Sequence, residues 1–354
     1  MVDLYPLAAP LLRALKPEFA HSLTIWALKS GLGARAAPPD PPSLALSVLG
    51  RTFANPVGMA AGFDKSAQVA DAILAMGFGF AEVGTVTPKP QAGNPKPRLF
   101  RLSQDHALIN RLGFNNDGLE VVAGRLDARR GRSGIVGVNI GANRDSADRV
   151  ADYVMGFERF AGLADYVTIN VSSPNTPGLR ALQDKSALDD LVERLMAARP
   201  GSDNAHRTPL LLKIAPDLDD QALDDIAEIV LARHIDGVII SNTTIGGRDR
   251  LRSRHGHEQG GLSGTPLFQM STQILRRFHQ ITEGRVLLIG VGGIGSGADA
   301  YEKIRSGASL VQLYSALTYQ GPGLIKRIKQ DLAACLARDG FSHVAEAVGT
   351  GVER

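Results

Sequence analysis

A lysine in an apolar strand is expensive to bury, and this chain places Lys213 inside the run Leu210-Leu-Leu-Lys-Ile214. Such an ammonium must face charge or a reacting group, because a buried cation without a partner is strongly disfavoured. On residue type alone it suits either a countercharge to an anionic ligand or a Schiff-base nucleophile. Other polar groups recur at the ends of similar runs: Gly62-Phe-Asp-Lys65, Asn139, Asn170-Val-Ser-Ser-Pro-Asn-Thr-Pro177 and Ser241-Asn-Thr-Thr244. Each unpaired polar group costs roughly 1–3 kcal/mol on burial, so a set at equivalent ends points to one shared polar ligand. Any single asparagine reads equally well as a loop-capping amide. Two glycine-rich segments, Gly260-Gly-Leu-Ser-Gly264 and Gly290-Val-Gly-Gly-Ile-Gly-Ser-Gly297, offer backbone N–H groups to an anion.

The elements that must position these groups are short β-branched runs. They are Val57–Ala61, Phe80–Val83, Ile135–Ile140, Tyr166–Val171, Leu210–Ile214, Gly237–Ser241, Val286–Gly290 and Ser309–Leu313. Most lack alternation, as strands buried on both faces do. Amphipathic segments follow them: Ser66–Met76, Tyr153–Leu163, Ala187–Ala198, Asp220–Arg233, Ala298–Ser306 and Gly323–Ala337. This pattern predicts an α/β fold, a (β/α)8 TIM barrel, with an open doubly wound sheet as the alternative. In a barrel the C-terminal strand ends carry function, and anions sit after strands seven and eight, where Gly293 and Tyr314-Ser315 fall. Two intervals, Thr85–Gly134 and Thr243–Arg285, are long enough to build a lid. The prolines at 88, 90, 95 and 97 make Arg98-Leu-Phe-Arg-Leu102 part of an extended hairpin.

The chain has 354 residues, 44% of them apolar, a net charge of +3 and one cysteine. A sizeable core is therefore available, and disorder, disulfide scaffolds and cysteine-rich metal sites are excluded. The charge balance argues against nucleic-acid binding, and the basic stretches Arg125–Arg132 and Arg248–Arg254 read as solvated surface. Cys335 reads as a buried helix residue. The histidines are expected to hold no metal: His255-Gly-His257 is a flexible pair, and His279 is expected to be solvated on a helix. No apolar run reaches the ~20 residues of a spanning helix, and the N-terminus does not resemble a signal peptide. The expected location is the cytoplasm, with contact to a membrane allowed. Residues 1–40 form a helical pair divided at Lys16-Pro17, with Leu11, Leu12 and Leu15 on the first stretch and Phe19, Leu23, Trp26 and Ala27 at helical spacing on the second. Residues 41–340 form the barrel. Residues 341–354 read as a frayed tail of unknown role.

Seven segments stand out together: Asn55-Pro-Val-Gly-Met-Ala-Ala-Gly-Phe-Asp-Lys65, Gly84-Thr-Val-Thr-Pro88, Gly93-Asn-Pro-Lys-Pro-Arg-Leu-Phe-Arg101, Ile109-Asn-Arg-Leu-Gly-Phe-Asn-Asn116, Asn170–Gly178, Ser241–Thr244 and Gly260–Gly264. With them the chain resembles the flavin-dependent dihydroorotate dehydrogenases, in particular their membrane-associated, quinone-reducing class. The resemblance implies FMN as cofactor and oxidation of (S)-dihydroorotate to orotate in pyrimidine synthesis, with a membrane quinone as final acceptor. It places FMN against Ala61, Gly62, Lys65, Thr85, Asn139, Asn170, Lys213, Ser241, Gly264, Gly293, Tyr314 and Ser315. It places the substrate against Lys65, Asn110, Arg111, Leu112, Gly113, Phe114, Asn170, Asn175, Asn242 and Thr243.

Ser173 corresponds to the family's base, with Thr176 and Phe114 beside its proton exit. The soluble class uses cysteine there, and this loop has none. A soluble FMN-dependent dehydrogenase of the same fold, using fumarate or NAD, is the alternative. Asparagine offers both donor and acceptor to a planar ring with alternating carbonyl and N–H edges, and Lys65 would neutralise the substrate carboxylate. The helical pair would form the mouth of a quinone tunnel lined by His21, Arg101 and Tyr314, or else simply pack on the barrel. Lys16 and Lys29 suit anionic headgroups. The expected setting is peripheral, on the cytoplasmic face of the cell membrane. A monomer is the working expectation, although the residues do not fix an oligomeric state.

Overall fold

The computed structural model describes residues 5–32, 39–199 and 207–353. Eight parallel strands close into a barrel: β1 (Val57–Met59), β2 (Phe80–Val86), β3 (Ile135–Ile140), β4 (Tyr166–Asn170), β5 (Leu210–Ile214), β6 (Gly237–Ile240), β7 (Leu287–Val291) and β8 (Leu310–Leu313). Each pairs with the next in sequence, and β8 returns to β1. All residues of β1 to β6 and β8 are buried, which is why their sequences carry no alternation. β3 and β5 occupy their expected spans, while β2 runs on to Val86.

The pleat sends Phe80 and Glu82 of β2, Tyr166 and Thr168 of β4 and Gln312 of β8 into the barrel. Large rings at the bottom require small partners across from them. A Cβ on Gly58 would lie 2.3 Å from the Phe80 ring, and one on Gly137 would lie 2.1 Å from the Tyr166 ring. Phe53, from the hairpin Leu46–Val48/Arg51–Phe53, meets Phe80 edge-on at 5.3 Å and closes the lower end. With the bottom plugged, the barrel opens at its C-terminal end.

Helices surround the barrel, several started by a side-chain cap: Asp148, Asp219 and Ser296 each accept a hydrogen bond from the backbone N–H three residues on. The first barrel helix is shorter than its sequence suggests, Ala70–Ala75 in place of Ser66–Met76, because the Asp64 carboxylate holds residues 66–69 in a turn. Both long intervals contain helices whose bounds the sequence reading did not set, Leu119–Asp127 and Phe268–Ile281, the second of which carries His279 on a helix as expected. They also contain strands. Leu99–Leu102 and Ala107–Asn110 form the expected hairpin, and Gly261–Gly264 from the other interval joins it as a third antiparallel strand.

The helical pair is α1 (Tyr5–Ala14) and α2 (Pro17–Lys29). It is anchored by polar contacts: Glu18 takes Arg98 at 2.7 Å, the Tyr5 hydroxyl donates to the Thr318 carbonyl at 2.7 Å, and Arg13 bonds the Tyr319 carbonyl at 2.5 Å. Its other side stays open, with Leu11, Phe19 and Trp26 each more than half exposed. No helix among the described residues is long and apolar enough to cross a membrane.

Four expectations need correction. The C-terminal segment is docked rather than frayed: Val344 and Ala347 are fully buried, and Gly349 and Gly351 donate to the carbonyls of Ile304 and Arg305. His279 is half-buried, fitted against Gly284, Gly307 and Gly349, so it is not a solvated side chain. Cys335 is only half-buried on Gly323–Arg338. In the Arg248–Arg254 stretch, Arg248 is structural, bonding the carbonyls of Glu258 and Gly260, and His255 packs its ring 5.5 Å from Phe100.

Candidate active site

A cavity of about 1120 Å³ opens at the C-terminal end of the barrel. That volume lies at the upper end for small-molecule sites and has room for a cofactor and a substrate together. Its floor is a chain of amides. The Thr85 hydroxyl donates to Asn139 Oδ1 at 2.5 Å, and Asn170 Nδ2 reaches Thr85 Oγ1 at 2.9 Å and Asn139 Oδ1 at 3.1 Å. Asn242 Nδ2 continues the chain to Ser172 Oγ at 3.0 Å. Tyr153, buried on helix Arg149–Phe160, fixes the β4 end by donating to the Asn170 carbonyl at 2.6 Å.

Lys65 enters from the turn after β1, where Asp64 accepts three backbone N–H groups and sets the loop. The Lys65 ammonium donates to the Gly62 carbonyl at 2.8 Å. Burial, and next the nearby Arg98 guanidinium, pull its pKa down to about 8. Facing it, the loop after β4 presents buried Ser173, whose Oγ accepts from the Asn175 N–H at 3.3 Å. Asn175 Nδ2 reaches Asn110 Oδ1 on the hairpin at 3.2 Å, so two separate loops share one amide pair. Phe114, at φ 54°, turns its ring against the wall near Gly141.

Lys213 projects from β5 into the cavity, buried, and among the described residues nothing accepts a hydrogen bond from its ammonium. Desolvation lowers its pKa, opposed by the Glu82 carboxylate. An orphaned buried cation fits a site for electron-rich ligand atoms. At the far end, none of the described residues accepts from the backbone N–H groups of Gly293, Tyr314 or Ser315. Gly293 adopts φ +78°, and a Cβ there would come 2.4 Å from Phe268. This cradle of free N–H groups suits a phosphate. Together the two features fit a planar cofactor with an anionic tail. No group of three His, Cys, Asp or Glu able to hold a metal ion occurs among the described residues.

From Tyr314 an aromatic path leads outward to α2. The Tyr314 hydroxyl and His21 Nδ1 are 3.2 Å apart, and Phe63 packs edge-on to both rings at 5.5 and 5.4 Å. Burial, reinforced by the Lys65 charge, lowers the His21 pKa to about 4, so the ring is neutral at physiological pH. Arg101 donates to the Arg13 carbonyl at the end of α1 at 2.7 Å.

The cavity brings together Ala61, Gly62, Lys65, Thr85, Asn110, Leu112, Gly113, Phe114, Asn170, Ser173, Asn175, Lys213, Ser241, Asn242, Thr243, Gly264, Gly293, Tyr314 and Ser315. Five other expected residues, Asn139, Arg111, His21, Arg101 and Thr176, lie outside its wall. Asn139 sits one layer below, Arg111 pairs with Glu258 at 2.9 Å over the Phe100 ring, and His21 and Arg101 belong to the outward path. Thr176 is buried nearby, but no hydrogen bond joins it to Ser173. The sequence reading missed Glu82, Phe63 and Ser172. Glu82 carried a usable signal, a carboxylate in the apolar strand Phe80-Ala-Glu-Val83, the same anomaly that marks Lys213.

The family model "Dihydroorotate dehydrogenase" matches residues 43–336. The chain belongs to the dihydroorotate dehydrogenase family. Dihydroorotate dehydrogenase (quinone) of Parvibaculum lavamentivorans is 60% identical over 351 residues, covering 99% of each chain. The protein of the same name from Rhodospirillum rubrum is 56% identical, covering 99% of this chain and 95% of that one. Among solved structures, the ligand-free dihydroorotate dehydrogenase of Eimeria tenella superposes with a TM-score of 0.90 at 43% identity, over 94% of this chain and 99% of the other. Within the family, the chain therefore groups with enzymes named for quinone.

Proposed function

We propose that this site oxidises (S)-dihydroorotate to orotate on FMN and passes the electrons to a quinone drawn from a membrane surface. The observation that carries the reading is one cavity holding Ser173 and the Asn110–Asn175 pair at one end, orphaned Lys213 at its centre and the N–H cradle of Gly293, Tyr314 and Ser315 at the other. When bound, FMN supplies the two-electron acceptor. Lys213 would offset the negative charge that reduction brings, and the cradle would hold the phosphate. Lys65 would bind the substrate carboxylate, while the amides of Asn110, Asn175 and Asn242 match the ring's carbonyl and N–H edges. Ser173 Oγ would take the proton from the carbon next to the ring carbonyl. Gly113 and Phe114 close the site from the hairpin side and exclude water.

For the second half-reaction, the neutral His21, Phe63 and Tyr314 cluster gives an apolar quinone a way in from the helical pair. The exposed Leu11, Phe19, Leu23 and Trp26 support an interfacial, peripheral seat on the cytoplasmic face of the cell membrane. Anaerobic addition of dihydroorotate to the purified holoenzyme tests the first half: the flavin bands should bleach. Unchanged bands would overturn the assignment.

A further inference from the structure

We infer that Glu82 is a positioning residue that sets the direction of Asn139 and so anchors the lower end of the amide chain reaching from the barrel core to the substrate end of the cavity. Glu82 is fully buried, and all three of its hydrogen-bond partners donate to it. Asn139 Nδ2 lies 2.8 Å from Oε1; Gln312 Nε2 and the Tyr166 hydroxyl lie 2.8 and 3.2 Å from Oε2. The two side-chain amides present their NH2 groups to Glu82, and its oxygens accept from both and from the Tyr166 hydroxyl. The unpartnered Lys213 ammonium, on whose charge Glu82 acts, balances it across the barrel.

An asparagine amide could face either way if its neighbours allowed it. Here the NH2 of Asn139 is committed downward to Glu82, which leaves Oδ1 facing up to accept from Thr85 and Asn170. Asn170 has then committed its own NH2 downward, so its Oδ1 faces Ser172 and Asn242, at 3.0 and 3.3 Å. Asn242 in turn points its NH2 inward, while its Oδ1 accepts from the Thr243 N–H at 2.8 Å. The backbone N–H groups of Ser172 and Thr243 hold Asn170 and Asn242 in the same sense from above, so the carboxylate is the fixed anchor at the lower end, and it is Asn139, with Thr85 beside it, whose direction Glu82 sets. The role rests on the flavin and dihydroorotate reading of this cavity, because Asn170 borders the cofactor end, with Asn139 one layer beneath it, and Asn242 borders the substrate end.

The experiment moves the carboxylate up by one position. In the holoenzyme, N139D should set two carboxylates against each other, raising the KM for dihydroorotate by about tenfold or more and loosening FMN, although the change is isosteric. E82Q/N139D should repair both. The amide introduced at position 82 then donates to the carboxylate introduced at position 139, whose other oxygen still accepts from Thr85 and Asn170, and KM should return to within about threefold of wild type. KM, kcat and fluorescence of released FMN are read alongside the melting temperature. Wild-type behaviour of N139D, or a double variant no better than N139D, would overturn the proposal. Should N139D not fold, the double variant decides alone: near-native KM and FMN retention support the role, and their loss refutes it. A wild-type enzyme that fails to bleach with dihydroorotate would instead count against the functional reading itself.

Discussion

Raising the pH from 7 to 9 should weaken orotate binding by about tenfold through one group, Lys65. Its pKa stands at about 8 against the ordinary 10.5, because burial and the Arg98 guanidinium both disfavour the cation. The proton therefore leaves the folded site well before it would leave an exposed lysine. With a pKa of about 8, roughly nine-tenths of the sites carry the cation at pH 7 and one-tenth at pH 9. If only the charged form holds the carboxylate, the apparent Kd rises by the ratio of these populations. Orotate, as product, separates this effect from Ser173 chemistry. Titrating it into the holoenzyme at pH 7, 8 and 9, with the flavin spectrum as readout, gives Kd directly. Lys65→Arg supplies the control, since its cation persists across the range and its Kd, though weaker, should stay flat. A wild-type Kd that is constant from pH 7 to 9, or that rises only above pH 10, would refute the reasoning.

Ser173→Ala should keep FMN and orotate binding while lowering flavin reduction by ~10²-fold or more in stopped flow; a near-normal rate would remove Ser173 as the base. Lys213→Ala should yield protein depleted of flavin with a lower reduction potential, and full occupancy at an unchanged potential would contradict its role. Replacing Phe19 and Trp26 by serine should abolish liposome binding and slow long-chain quinone turnover while sparing reduction by dihydroorotate. Equal quinone rates would make the helices purely structural. Arg98→Ala should loosen α2 at a cost of ~2 kcal/mol or more, because it strips Glu18 and the carbonyls of Ala92 and Asn94 of a buried donor; an unchanged melting curve would rule that out.

Much of the barrel was legible because a strand buried on both faces writes itself as an uninterrupted apolar run, as at Ile135–Ile140 and Leu210–Ile214. Lys213 stood out against such a run. The extent of helix Phe268–Ile281 does not show in a stretch that reads as lid, although His279 reads as helical, and the first barrel helix reads too long because Asp64 spends its carboxylate on the turn around Lys65 instead of starting a helix. The docked C-terminus does not show in composition, because a few apolar residues, Val344 and Ala347 foremost, seat it together with backbone hydrogen bonds from Gly349 and Gly351. Glu82 went unremarked because a lone carboxylate reveals its role only once Asn139, Tyr166 and Gln312 are seen to converge on it from three other strands.

The three-stranded sheet over the cavity ties together segments that leave the barrel after different strands. Asn110 faces Gly261 and Ala107 faces Gly264 in its ladder. Neither insertion can change length alone without sliding that register, and a slip of one residue would turn Asn110 away from Asn175. The two insertions are thus bound to change as a pair. A chimera that takes only one of them from a relative of different loop length should keep its barrel and lose its substrate site.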